Sequence, residues 1–132
     1  MDKEAYFELY NTTLELFAEN YFSTSDSFRD YLSKNEKVIK LRDNFPEKYP
    51  TNVILDNVIT NLIEDGLIRG KLESVVSHDY YIFYGQLTTK GINYLAVINS
   101  NTALEKIKNA LHDEGIPLTP ASASKFMGKV FF

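Results

Sequence analysis

The sequence predicts a single α+β domain, mostly helical, on three observations. Apolar residues recur at helical spacing before and after the middle of the chain, and one stretch between Leu67 and Tyr84 is instead rich in β-branched and aromatic residues. The third is composition: 132 residues with 44% hydrophobic and 24% charged side chains can bury one core without staples.

The elements follow in order. Asp2 to Glu19 place Tyr6, Tyr10, Thr13 and Phe17 on one line, with Leu9, Leu14 and Leu16 beside them, and Asp2 and Glu4 suit a helix N-terminus. Ser23-Thr24-Ser25-Asp26 is a run of capping residues before Phe28, Tyr31 and Leu32, which predicts a short second helix. Asn35 to Arg42 has room for one or two further turns before Pro46 and Pro50 impose a loop. Thr51 is expected to cap a helix running to Asp65, with Ile54, Leu55, Val58, Ile59 and Leu62 inward against Phe17, Ile68, Ile82, Leu87, Tyr94 and Leu95, and Gly66 just past its end.

Leu67-Ile68, Lys71–Ser77 and Tyr80–Tyr84 read as extended, with His78-Asp79 as a two-residue turn between the last two. Thr88 caps a helix that turns Ile92, Tyr94, Leu95 and Ile98 inward, and another runs from Asn101-Thr102 through Leu104, Ile107 and Leu111 to Gly115. Thr119-Pro120 starts the last helix, with Phe126, Met127, Val130 and Phe131 on one side. Those side chains need cover, either from Tyr6, Tyr10 and Phe17 of the first helix or from a second copy of the chain.

Composition narrows the function classes. No cysteine is present, so disulfides and thiolate metal sites are out, and a reducing compartment is expected. The opening Met1-Asp2-Lys3-Glu4-Ala5 has neither the basic nor the apolar region of a secretory leader, and no apolar run approaches membrane-spanning length; a cytoplasmic protein with no membrane partner is the expectation. Net charge is −4, and it is uneven: residues 1–66 carry 7 Lys/Arg against 13 Asp/Glu, residues 67–132 carry 7 against 5. Such a balance does not announce nucleic acid, so any contact must rest on a local patch.

The order helix, helix, helix, hairpin, helix suggests a winged helix-turn-helix core over about residues 51–98, with a helical part at 1–50 and C-terminal helices at 100–132. Two phrases sharpen it: Leu62-Ile63-Glu64-Asp65-Gly66-Leu67-Ile68, and Leu87-Thr88-Thr89-Lys90-Gly91-Ile92-Asn93-Tyr94-Leu95. With them, Thr51 to Gly115 resembles the YjcQ-like proteins and related uncharacterised winged-helix families of phages and prophages in Gram-positive bacteria. The resemblance implies a fold and a genomic setting, with no assigned biochemical activity.

A DNA-associated role would draw on Lys34, Lys37, Lys40 and Arg42, the one basic run, and on Arg69, Lys71 and Lys90 at or near the wing. The helix from Thr51 offers Asn52, Asn57 and Asn61 but no Lys or Arg, so it is an adenine-reading face at best and more simply a solvated one. A protein interface, homodimer included, would use Tyr81 and Phe83 of the apolar strand with Phe126, Met127, Val130 and Phe131.

Catalysis has little to stand on. His78 and His112 lie far apart in the chain, His112-Asp113-Glu114 cannot face one point from a helix, and Gly66 to Leu72 lacks the spacing and the hydroxyl of a phosphate loop. A non-enzymatic binding module without metal or cofactor is the expectation.

Overall fold

A computed structural model describes residues 3–130. It contains α1 (Lys3–Glu19), α2 (Ser25–Lys34), α3 (Glu36–Arg42), α4 (Thr51–Glu64), β1 (Ile68–Ser74), β2 (Asp79–Leu87), α5 (Thr89–Ile98), α6 (Asn101–Asp113) and α7 (Pro120–Val130). The chain is therefore α+β, mostly helical, with one antiparallel hairpin.

Hydroxyl and amide caps set most helix starts. Thr24 accepts from Ser27 N at α2, Asn35 from Lys37 N and Val38 N at α3, Thr88 from Gly91 N at α5, and Ser100 from Ala103 N at α6. The short run after Asn35 is thus a helix of its own. At α4 the expected cap fails: Pro50 occupies that position, and the Thr51 hydroxyl instead accepts from Arg42 Nε at 2.9 Å. Arg42 also donates to the carbonyls of Phe45 (3.1 Å) and Tyr49 (2.6 Å), so one guanidinium gathers the proline-containing loop and ties it to α4.

The core joins α1, α2, α4 and the hairpin. Ile54, Leu55, Val58, Ile59 and Leu62 are all buried, together with Phe17, Phe28, Ile68, Phe83 and Tyr94. Phe17 is its hub, with ring centroids 4.9 Å from Phe83, 5.3 Å from Phe28 and 6.2 Å from Phe22, at stacked to edge-on angles. Ile82 is the exception among the expected partners. Alternation along β2 puts it on the face opposite Phe83.

The two phrases singled out in the sequence form one packed junction. Gly66 takes φ +79 beyond α4, which lets Leu67 and Ile68 turn into the core. The Thr88 hydroxyl donates to the carbonyl of Gly66 at 2.6 Å, and the Thr88 N–H donates to that of Leu67 at 3.1 Å. Gly91 then passes so close that a Cβ there would lie 2.3 Å from Leu67 O. The second glycine is set by that close approach, the first by its backbone angle.

The hairpin differs in its turn. Ser74 pairs with Asp79, and Val75 N donates to His78 O at 3.0 Å, so the tip is Val76-Ser77, two residues earlier than expected. No non-glycine residue in the described chain has positive φ, so this tip is not one of the primed turns that call for Gly or Asn. His78 is then free to reach α2, where Nε2 lies 2.7 Å from Asp26 Oδ2. Near the other end, a register shift between Ile68 and Gly70 accompanies Gly85 at φ +70.

A third extended piece was not read from the sequence. The segment just before α2 lies along the far edge of β2: Thr24 forms an antiparallel bridge with Ile82, Phe83 N donates to Ser23 O at 2.9 Å, and Tyr81 N donates to Ser25 Oγ at 2.8 Å. The resulting order is helix, short extended segment, two helices, α4, hairpin, with the first extended segment beside the last strand.

The C-terminal half also differs. In α5 Gly91, Tyr94 and Val97 are buried and Leu95 and Ile98 pack half-buried against the core, while Ile92, expected inward, is 56% exposed. Helix α7 packs chiefly on α5 and α6 rather than on the apolar line of α1. Its start holds as read, with the Thr119 hydroxyl accepting from Ser122 N at 3.1 Å.

Candidate binding surfaces

Between the start of α2, α4 and the hairpin lies a groove of about 310 Å³, lined by Ser25, Asp26, Arg29, Asp56, Leu72 and Tyr81 among others. Its polar wall is held by internal pairing. Arg29 Nη1 lies 3.2 Å from Asp56 Oδ2 on α4, while its Nη2 lies 3.7 Å from Asp26 Oδ1 one turn back on α2. Asp26 in turn meets His78, just after the hairpin tip. Asp26 was read in the sequence only as part of the capping run and Arg29 not at all; the i, i+3 spacing on a capped helix was the signal for the pair.

The exposed side of α4 next to this groove carries Asn52, Val53, Asn57 and Glu64, with Asp56 and Thr60 half-buried. No lysine or arginine is among them. Asn61 is taken by the Tyr6 hydroxyl, to which its Nδ2 donates.

The expected cations scatter. Lys34 pairs with Asp30 at 3.2 Å, and Lys71 lies 3.8 Å from Glu73 on its own strand. Lys90 Nζ donates to the Asp65 carbonyl at 2.9 Å, where it meets the negative end of α4. Arg42 is occupied by the 43–50 loop, as described. Lys37, Lys40 and Arg69 are exposed, and no ion pair involves them among the described residues. The first two lie on α3, which packs on α1 and α2; Arg69 lies on β1, which packs on β2 and α4.

The expected interface residues divide as well. Phe83 is 6% exposed and Met127 3%, so both are core of this chain and are corrected from surface to interior. A strand apolar on both faces had left open which side was inward. Tyr81 and Phe126 are half-buried, Val130 is 43% exposed, and Phe131 lies outside the described residues. Exposed apolar surface lies elsewhere on the hairpin: Leu72, Val75, Val76 and Tyr84.

A second polar cluster ties α1 to α4 and α5. Tyr10 donates to Asp65 Oδ2 at 2.8 Å, and Tyr94 donates to Asn11 Oδ1 at 2.6 Å. Burial pushes both phenols well above the usual tyrosine range, and the Asp65 carboxylate adds to it, so both hydroxyls stay protonated donors. Among the described residues no group of three or more His, Cys, Asp or Glu side chains could hold a metal ion, and no helix is long and apolar enough to cross a membrane.

No family model matches the chain, and neither a curated protein nor a solved structure does.

Proposed function

We propose that the chain is a non-enzymatic winged-helix binding module that contacts a protein partner through its wing and the adjoining α4 surface. The winged-helix reading is supported by element order: an extended segment before α2 beside β2, then α4 in the place of the recognition helix, then the hairpin as wing. The YjcQ-like phage and prophage resemblance agrees with this architecture.

The observation that carries the choice of ligand is the exposed side of α4, which presents asparagines, Val53 and acidic groups without a cation. DNA affinity comes largely from cations on phosphates. Of the seven candidate cations, Arg42 and Lys90 hold backbone carbonyls, and Lys34 and Lys71 sit beside carboxylates. The wing offers Leu72, Val75, Val76 and Tyr84, which suit a protein surface.

Double-stranded DNA is the second reading, favoured by Lys37, Lys40 and Arg69, which are exposed and in no ion pair among the described residues. The two separate in a binding assay on mixed-sequence duplex DNA at about 50 and 200 mM salt. The protein reading predicts no complex that weakens with salt. A complex that loses affinity steeply between the two salt concentrations, and loses most of it on charge reversal at Lys37 and Lys40, would establish the DNA reading instead.

A further inference from the structure

We infer that the free edge of β1 is a self-complementary docking strand, and that its partner is the same strand of a second copy of this chain. Such pairing requires only the hairpin and is independent of what else the module binds.

The edge is open on one side of the sheet only. Across the tip Val75 donates to His78, so hydrogen-bonded pairs recur at Glu73/Tyr80 and Lys71/Ile82. The backbone groups of the alternate residues point away from the ladder. On β2 those of Tyr81 and Phe83 are met by Ser25 and Ser23. On β1 they belong to Gly70, Leu72 and Ser74, and among the described residues no third strand pairs with that edge. Leu72 is 51% exposed, and Arg69, Lys71 and Ser74 are exposed beside it.

An open edge is a template for another strand, and most proteins guard it with charge. Here the charges select the partner. Antiparallel pairing of two copies about a two-fold axis at Leu72 sets Leu72 opposite its symmetry mate, with their outward N–H and C=O groups exchanging both bonds. Gly70 then faces Ser74 of the second copy, again through outward groups. Lys71 falls opposite Glu73 in the intervening non-hydrogen-bonded pairs, where side chains come closest, and symmetry makes two such ion pairs. Leucine meets leucine on one face of the joined sheet and lysine meets glutamate on the other. A parallel in-register arrangement would set lysine beside lysine.

The test uses the full chain and three variants, Lys71→Glu, Glu73→Lys and the double exchange, with sedimentation and light scattering followed over concentration. Lys71 is exposed and Glu73 half-buried on β1, and circular dichroism verifies that each variant is folded. The wild type should dimerise as concentration rises. Each single reversal places like charges opposite one another twice and should raise the dissociation constant by about tenfold. The double exchange restores opposite charges and should return it toward the wild-type value. A wild type that stays monomeric up to about 1 mM, a dimer indifferent to the single reversals, or a double variant as weak as the singles would each overturn the inference.

Discussion

Replacing Phe17 by alanine is expected to cost about 3–5 kcal/mol, the largest loss from any single side chain in the described residues. The ring is 2% exposed and is the point at which α1 meets Phe28 of α2 and Phe83 of β2. Truncation therefore removes the transfer free energy of a buried phenyl and leaves a cavity whose walls belong to three different elements. Such walls cannot close in together. A domain of this size has only about 5–15 kcal/mol in hand, so the variant should be close to the limit of folding. Chemical denaturation should show a much lower midpoint at an unchanged slope. A loss under about 1 kcal/mol would mean that the aromatic hub is not the core.

Gly91→Ala should also destabilise, by about 1–3 kcal/mol, although alanine is ordinarily the better helix residue by about 1 kcal/mol. The new methyl would lie 2.3 Å from Leu67 O. That carbonyl cannot retreat easily, because the Thr88 N–H holds it at 3.1 Å. Gly128 provides the control. It lies in α7, where a Cβ would meet nothing within 4 Å among the described residues, so Gly128→Ala should be neutral or gain up to about 1 kcal/mol. Thermal or urea unfolding of the pair decides it: opposite signs are expected, and a stabilised Gly91→Ala would remove the close junction between α4 and α5.

Much of this fold was legible because its signals are local. Caps at Thr24, Thr88 and Thr119, the apolar period from Ile54 to Leu62, and Gly66 past the end of α4 each depend on a few neighbouring residues. What could not be read depends on partners distant in sequence. Thr51 looks like a cap until Arg42, nine residues earlier, claims its hydroxyl. The hairpin tip falls at Val76-Ser77 rather than His78-Asp79, and His78 meets Asp26 from 52 residues away. Tyr80 to Tyr84 is apolar on both faces, so only packing with Phe17 shows that Phe83 is interior.

The candidate surfaces follow the same rule. A basic run in sequence is a list of charges, and its reach depends on what each side chain meets after folding. Arg42 turns to loop carbonyls and Lys90 to the end of α4, which withdraws two of the seven cations from any phosphate. Arg29 carried no such expectation, yet it links α2 to α4 beside the groove. The extended stretch before α2 was hidden because Ser23-Thr24-Ser25 reads first as a capping cluster, and it serves both purposes: Thr24 caps α2 while its backbone bridges Ile82.

That double role is where the winged-helix reading is most exposed to test. Backbone NMR distances on the full chain, measured across β2, address it directly. Cross-strand contacts are expected between Thr24 and Ile82 on one side of β2, and between Lys71 and Ile82 and between Ser74 and Asp79 on the other. Contacts that instead pair Ser77 with Tyr80 about a His78-Asp79 turn, with none between Thr24 and Ile82, would contradict it.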